Sequence, residues 1–306
     1  MTERLQKDQN ENGAVTKLAL GRKVSYAPDV TVLEVIQRSA EFLGRKGVDS
    51  PRLQAELLLA HVLQLPRLKL YLEFERRLSD EQADRMRELV KRRGEREPLQ
   101  HILGSTSFCG IDIRVTPDVL VPRPETEMLA EAAWEYLKKR GGEPVVLDFG
   151  TGSGCIAIAI AAHCPSAKIH AVDVSEKALV VARTNAARHN ITFHQGSSIP
   201  ELPPLDLFVS NPPYIPSAEI ATLQPEVARF DPHLALDGGP DGLNFYRRIA
   251  VEALPLMAED GRLMLEFGDG QETALQEIFA SDWTIEQIKP DLCGKPRILV
   301  ARSRRK

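Results

Sequence analysis

An apolar strand that runs directly into a glycine-rich turn and then a helix limits this chain to a small number of folds. Its residues are VVLDF at 145–149 and GTGSG at 150–154, and an apolar helical pattern begins at Cys155. Glycines at such a turn let the backbone bend sharply and approach a ligand closely. A second strand ends at Asp173, whose carboxylate can accept hydrogen bonds from both hydroxyls of a ribose. The pattern therefore predicts a nucleotide-like ligand beside two neighbouring strands.

Helical patterns and short apolar strands alternate from Glu125 onward. Alternation of this kind predicts an α/β fold with a doubly wound, mainly parallel sheet that helices cover on both faces. The clearest strands are Val145–Asp148, Lys168–Asp173, Leu205–Ser210 and Arg262–Phe267, and helical patterns lie near 126–139, 155–163, 176–189 and 243–254.

The N-terminal part of the chain carries helix start signals instead. Thr31 with Glu34, and Ser79 with Gln82, form capping boxes, and Ser50-Pro51 supplies an N-cap and a first-turn proline. From these signals and the surrounding composition we predict four segments. They are a flexible tail at 1–28, a helical domain at 29–104, a β-hairpin linker at 105–122 and the α/β domain at 123–306.

Composition excludes several function classes. The 306 residues carry a net charge of -4, which argues against a protein that holds long nucleic acids by charge. The four cysteines form no C-x-x-C pair, and the histidines have no partners at metal-ligand spacing, so we expect no metal. No apolar stretch reaches membrane-spanning length, and the N-terminus is too polar for a signal peptide, so a cytoplasmic location is expected.

The strand Leu205–Ser210 ends in the tetrapeptide Asn211-Pro212-Pro213-Tyr214. Two prolines make a rigid turn that presents its carbonyl groups outward. The side-chain oxygen of Asn211 and the carbonyl of Pro212 can accept both hydrogens of a planar NH2 group, on which Tyr214 can stack. This tetrapeptide is typical of methyltransferases that act on planar amino groups in adenine, guanine or glutamine, and it needs no strong general base.

The glycine turn discriminates between two nucleotide classes. A dinucleotide-binding turn requires a third glycine where this chain has Cys155. Glycines at 150, 152 and 154 instead resemble the D-x-G-x-G-x-G loop of S-adenosylmethionine-dependent methyltransferases. A dinucleotide-dependent oxidoreductase remains as an alternative, against which the tetrapeptide also argues.

Beyond these motifs, residues 29–302 resemble the release factor glutamine methyltransferases of the HemK type. The resemblance implies a seven-stranded class I methyltransferase sheet, joined by a β-hairpin to a helical domain that recognises the substrate. The specific marks are REPLQHILG at 96–104, FCG at 108–110, LVPRPETE at 120–127, PEV at 225–227, GGPDGL at 238–243 and LEFG at 265–268.

The resemblance implies a substrate and a set of site residues. The substrate is the glutamine of the Gly-Gly-Gln motif in class 1 peptide chain release factors, methylated on N5. The implied catalytic residues are Asn211, Pro212 and Tyr214, and Pro213 completes the substrate-binding set. The implied S-adenosylmethionine-binding residues are Gly150, Thr151, Gly152, Ser153, Gly154, Asp173, Ile199 and Asn211.

One pair departs from the family pattern, and several alternatives stay open. Ser198 and Ile199 stand where the family carries an acidic residue and an aromatic one beside the adenine; Ile199 can still cover one face of that ring. Glu266 either borders the ligand or only bonds backbone groups, and Phe245 is expected to pack in the core. The alternative substrates are an RNA or DNA base amino group and a ribosomal protein glutamine.

Overall fold

The computed structural model describes residues 29–304, and the tail predicted at 1–28 lies outside them. The chain divides into two compact units, Met1–Leu99 and Gln100–Lys306. No helix within residues 29–304 is both long enough and apolar enough to cross a lipid bilayer.

In the part of the first unit that the structure describes, the long helices are α1 (Val32–Arg45), α2 (Pro51–Leu63) and α3 (Asp80–Gly94), and a 3-10 helix lies at Arg67–Leu72. Both predicted capping boxes are present, at the starts of α1 and α3. Ser50 takes the predicted N-cap position before Pro51, but its backbone is left-handed (φ 47°) and its side chain makes no capping hydrogen bond. An N-cap oxygen reaches the free amides of the first turn from an extended backbone instead.

A short helix, α4 (Leu99–Leu103), spans the division, and a hairpin follows it. The hairpin pairs β1 (Ser105–Phe108) with β2 (Ile111–Arg114) in antiparallel register. Its two turn residues, Cys109 and Gly110, have φ angles of 50° and 77°. Positive φ at both positions is the geometry of a type I′ turn, whose twist matches that of the strands.

The second unit contains a seven-stranded sheet in the order β5-β4-β3-β6-β7-β9-β8. All neighbouring strands pair in parallel except β9, which is antiparallel to both β7 and β8. The doubly wound, mainly parallel fold is thereby confirmed. The strands are β3 (Val145–Phe149), β4 (Lys168–Asp173), β5 (Ile191–Gln195), β6 (Leu205–Ser210), β7 (Met257–Glu266), β8 (Trp283–Pro290) and β9 (Pro296–Ser303).

Helices cover both faces of this sheet, and two apolar clusters hold them there. One cluster joins α5 and α6 to one face, and the other joins α9 and α10 to the opposite face. Full burial of each large apolar side chain contributes about 1.5–3 kcal/mol. The helices are α5 (Pro124–Arg140), α6 (Cys155–His163), α7 (Glu176–Asn185), α8 (Pro225–Phe230), α9 (Asn244–Glu252) and α10 (Glu272–Phe279).

The strand order reverses at β3, which has β4 on one side and β6 on the other. Ligands of open α/β sheets bind outside the carboxyl ends of the strands at such a point. The hydroxyl of Ser210 donates to the carbonyl oxygen of Phe149 at 2.5 Å and so ties the ends of β6 and β3 together. Asp173 and Glu266 are the last residues of β4 and β7, so both lie where the carboxyl ends of the parallel strands meet.

Candidate active site

The glycine turn after β3 presents its open side where a ligand can approach. Gly150 and Gly152 have φ angles of 76° and 54°, and a Cβ at either position would meet nothing within 4 Å. Gly154 differs, since a Cβ there would lie 3.2 Å from Ala182 of α7 and 3.3 Å from Ile158. The first two glycines therefore leave space for a ligand, whereas the third allows close packing between helices.

The buried carboxylate of Asp148 fixes the shape of this turn. Its Oδ2 accepts hydrogen bonds from the hydroxyl of Thr151 at 2.6 Å and from the backbone N–H of Ala157 at 3.2 Å. Burial raises the pKa of Asp148 to about 7. Thr151 and Ser153 are themselves buried, so their side chains support the turn from within.

Asp173 lies at the end of β4 and reaches the same turn. Its Oδ2 accepts from the backbone N–H of Gly152 at 2.8 Å, and its Oδ1 accepts from that of Ser175 at 2.8 Å. Burial raises the pKa of Asp173, while the backbone donors oppose that shift. Each oxygen keeps a further lone pair with which it can accept from a ligand hydroxyl.

A cavity of about 300 Å³ lies against these residues, and we call it the glycine-loop cavity. Of the predicted cofactor-binding residues, Gly150, Gly152, Asp173 and Asn211 line it, whereas Thr151, Ser153, Gly154 and Ile199 do not. Ile199 packs against the apolar cluster that contains Phe149, and Ser197 lines the cavity nearby. The side chain of Ile199 therefore packs against the core cluster, and its contact with the cofactor stays a prediction.

The Asn-Pro-Pro-Tyr turn separates this cavity from a larger one of about 520 Å³, which we call the Tyr214 cavity. Pro212 and Tyr214 line the Tyr214 cavity, whereas Pro213 lines the glycine-loop cavity. Asn211 lines both, together with Leu120 and Ala235. The structure therefore brings the four residues of the turn to the boundary between two cavities, with Asn211 facing each.

Behind this boundary, two polar side chains hold Asn211. Its Nδ2 donates to the hydroxyl of Thr126 in α5 at 3.0 Å, and that hydroxyl donates to Oε2 of Glu266 at 2.7 Å. Glu266 ends β7 and is only 1% exposed. Burial raises the pKa of its carboxyl to about 7, which the hydrogen bond from Thr126 partly offsets. Glu266 therefore bonds a side chain of the site rather than only backbone groups.

Tyr214 is held by a hydrogen bond from Gln271 and by close packing against Gly242 and Gly268, two glycines of the distinctive motifs. Gln271 donates from Nε2 to its carbonyl oxygen at 2.9 Å. A Cβ at Gly268 would lie 2.9 Å from the Tyr214 ring, and one at Gly242 would collide with the Tyr214 carbonyl oxygen. Burial raises the pKa of the Tyr214 phenol to about 12, so it stays neutral.

An ion pair joins two loops that border the cavities. Arg123, which lines the Tyr214 cavity, donates to Oδ2 of Asp231 at 2.6 Å. Burial raises the pKa of Asp231 to about 6, although the charge of Arg123 opposes this. The segment after Asp231 supplies Pro232 and Leu234 to the glycine-loop cavity.

Helix α9 contributes Phe245 and Arg248 to the lining of the glycine-loop cavity. The sequence pattern predicted Phe245 in the core and did not mark Arg248. Tyr246 is fully buried, and the neighbouring Phe245 packs against the core cluster, as expected, and also lines the glycine-loop cavity. Arg248 lines it too, lies 5.6 Å above the ring of Phe149 and donates to the carbonyl oxygen of Ser197. Phe245 and Arg248 are three positions apart and therefore share one face of the helix, but a helical periodicity does not show that this face ends at a cavity.

No group of three or more His, Cys, Asp or Glu residues within positions 29–304 is arranged to hold a metal ion. The residues that meet at the carboxyl ends of the strands are instead glycine amides, carboxylates, an asparagine amide and a phenol ring.

Comparison with known proteins matches both parts of the chain. Residues 34–104 match the family model of the PrmC N-terminal domain, and residues 126–229 match that of the methyltransferase small domain. A release factor glutamine methyltransferase of Geobacter sulfurreducens is 44% identical over 254 residues, covering 82% of this chain and 88% of the relative. One of Chlorobaculum tepidum is 41% identical over 275 residues, covering 85% and 93%.

A solved structure supports the fold alone. The catalytic domain of hMettl16, in complex with the MAT2A 3'UTR hairpin 6, superposes with a TM-score of 0.51 at 16% identity. The match covers 64% of this chain and 77% of that one.

Proposed function

We propose, because the chain belongs to the family of release factor glutamine methyltransferases, that it methylates a class 1 peptide chain release factor. The methyl group comes from S-adenosylmethionine and goes to the N5 amide nitrogen of the glutamine in the Gly-Gly-Gln motif. The observation that carries the proposal is the position of Asn211, which lines both cavities. A residue at that boundary can hold an acceptor nitrogen where the methyl donor meets it.

The glycine-loop cavity suits S-adenosylmethionine. Gly150 and Gly152 leave open space beside the backbone, and Asp173 offers carboxylate lone pairs to ribose hydroxyls. Phe245 supplies an apolar ring to the same cavity, which suits the adenine. When bound there, S-adenosylmethionine supplies a methyl group on a positively charged sulfonium.

The tetrapeptide turn supports recognition of an amide. We assign the side-chain oxygen of Asn211 and the carbonyl oxygen of Pro212 to the two hydrogens of the glutamine NH2. The neutral ring of Tyr214 stacks on the amide plane. An amide nitrogen is a poor nucleophile because its lone pair is delocalised, so catalysis here consists of positioning and of acceptors aimed at the growing positive charge. The proton leaves after methylation and requires no strong base.

The same proposal assigns the remaining parts of the chain. The helical segment that matches the PrmC N-terminal domain recognises the release factor. The partner is a protein, with no stably bound nucleic acid and no metal, and the enzyme works in the cytoplasm.

Methyl transfer to purified release factor tests this function. Radiolabelled S-adenosylmethionine is incubated with the enzyme and either the natural factor or a factor whose Gly-Gly-Gln glutamine is changed to alanine. We expect label on the natural factor only. Equal labelling of both factors would contradict the assigned glutamine, and label only on ribosomal protein or nucleic acid would replace the substrate.

A further inference from the structure

Asn211 depends on two residues that line neither cavity, Thr126 and Glu266. Both are buried, and they come from different elements, the first turn of α5 and the last residue of β7. The hydroxyl of Thr126 lies between them, 3.0 Å from Nδ2 of Asn211 and 2.7 Å from Oε2 of Glu266. Neither lines either of these cavities, and the residue of the tetrapeptide turn to which Thr126 is hydrogen-bonded is Asn211.

The two hydrogen bonds that link Asn211, Thr126 and Glu266 have a fixed order of donors and acceptors. An ionised carboxylate only accepts, so Thr126 donates to Glu266. The hydroxyl oxygen is then left to accept, and Nδ2 of Asn211 is the donor that it meets. The oxygen of the Asn211 amide is therefore the atom left for the cavities. Without such a partner, the amide can turn by 180° and exchange its oxygen and nitrogen at almost unchanged shape.

We infer that Thr126 and Glu266 are positioning residues, which select the orientation of the Asn211 amide that presents Oδ1 to the NH2 group of the substrate. This inference rests on the proposed function for its substrate, but the orientation itself is a property of the free enzyme. The opposite orientation presents a donor to a donor and cannot hold the amide of the bound substrate in position for methyl transfer.

Protonation of Glu266 reverses the order of donors and acceptors in these two hydrogen bonds. A neutral carboxyl donates to the Thr126 oxygen, and the Thr126 hydrogen is then free to bond Oδ1 of Asn211, which turns Nδ2 toward the cavities. Burial and the charge of Glu125 from α5 raise the pKa of Glu266. Hydrogen bonds from Thr126 and Asn211 and the charge of Arg297 from β9 lower it, which leaves the pKa at about 7. The nearby phenols of Tyr214 and Tyr246 stay neutral because burial raises their pKa values.

Substitution of Thr126 provides a matched kinetic test. Thr126→Val keeps the shape and removes the hydroxyl, whereas Thr126→Ser keeps the hydroxyl. Loss of one net hydrogen bond corresponds to about a tenfold effect. We expect Thr126→Val to lower kcat about tenfold, with KM for the release factor and the affinity for S-adenosylmethionine unchanged within about twofold. Thr126→Ser should stay within about twofold of wild type; an equal loss of kcat in both variants would contradict the inference.

Glu266→Gln separates this group from the other carboxyls that titrate near neutral pH. In the wild type, kcat should rise as the pH increases from 6 to 8.5 through about 7, the pKa of Glu266. In Glu266→Gln this rise should disappear. An unchanged pH profile in that variant would assign the titration elsewhere and overturn the role of Glu266.

A measurement without substrate distinguishes this inference from the proposed function. The side-chain NH2 signals of Asn211 in ¹⁵N-labelled enzyme are assigned by their loss in Asn211→Asp. They should shift with a midpoint of about 7, the pKa of Glu266, and stay constant with pH in Glu266→Gln. Absence of this titration in the wild type overturns the inference even if the release factor is methylated. Its presence without methyl transfer leaves the orientation supported and overturns the substrate.

Discussion

At the scale of single residues, Asn211 should matter far more for transfer than for cofactor binding. It lines both cavities, but its proposed catalytic contact is to the substrate amide. We expect Asn211→Ala to lower kcat by about 10²–10³-fold, as loss of one well-placed polar group does in other enzymes. The affinity for S-adenosylmethionine, measured by calorimetry, should change only a few-fold. Full turnover in this variant would remove the proposed mechanism.

Asp173 should have the opposite profile. Its carboxylate holds the glycine turn through Gly152 and is aimed into the glycine-loop cavity. Hydrogen bonds to a charged group contribute about 1.5–3 kcal/mol, so Asp173→Ala should weaken S-adenosylmethionine binding roughly 10- to 100-fold. Glu176→Ala is the matched control, since this exposed carboxylate in α7 pairs with Arg183. Equal losses in both variants would indicate a general effect of charge.

At the scale of elements, helix α9 offers two adjacent aromatic residues with different tasks. Phe245 lines the glycine-loop cavity, whereas the Tyr246 hydroxyl donates to the carbonyl oxygen of Glu266 at 2.9 Å inside the core. Phe245→Ala should weaken S-adenosylmethionine binding about three- to tenfold, the value of one aromatic contact. Tyr246→Phe should leave binding unchanged and lower the free energy of unfolding by about 1 kcal/mol. Calorimetry and denaturant titration measure the two effects, and a reversed assignment would contradict the geometry.

Sequence patterns predicted several elements whose apolar residues are locally continuous, but they missed β9, in which four consecutive residues from Ile298 to Ala301 are buried. The strands of the sheet centre, β3, β4, β6 and β7, were found in this way. Strand β5 was not predicted because its apolar residues are only partly buried and alternate with polar ones, as in ITFHQ. Strand β8 was not predicted for the same reason, since it lies at the edge of the sheet and its sequence, WTIEQIKP, mixes apolar and polar residues. At an edge, packing and pairing decide the structure more than pattern does.

The site was predictable only where its residues are neighbours in the chain. The glycine turn, Asp173 and the tetrapeptide follow strand ends that the pattern itself reveals. Thr126 and Glu266 are 140 positions apart, and no local spacing links them. Their contact arises because the first turn of α5 packs at the same sheet edge where β7 ends, which only the fold determines.

At the scale of the whole molecule, buried carboxyls make stability depend on pH. Burial raises the pKa of Asp148 and Glu266 to about 7 and that of Asp231 to about 6, whereas all three titrate near 4 when unfolded. Between about pH 4 and 7 the folded protein therefore binds more protons than the unfolded chain, so stability falls as the pH rises through this window. At pH values above these pKa values, the stabilisation that the bound protons provide is lost completely.

Calorimetry at two pH values tests this dependence. The melting temperature of the second unit should be higher at pH 5.5 than at pH 8.5, by roughly 2–4 °C for each kcal/mol of the difference. Glu266→Gln, which removes one of the three groups, should reduce that difference. Equal melting temperatures at both pH values would show that the buried carboxyls keep their ordinary pKa values.

The position of β9 within the sheet constrains the order of events during synthesis. In the sheet, β8 has β9 as its neighbour, and β9 inserts between β8 and β7. A ribosome produces β8 before β9, so the earlier strand has no backbone partner in the sheet until the later one has emerged. Because β8 and β9 are consecutive antiparallel strands, they can pair with each other before β9 joins β7. Until β9 joins the sheet, the side of β7 that pairs with it, up to Glu266, has no strand partner.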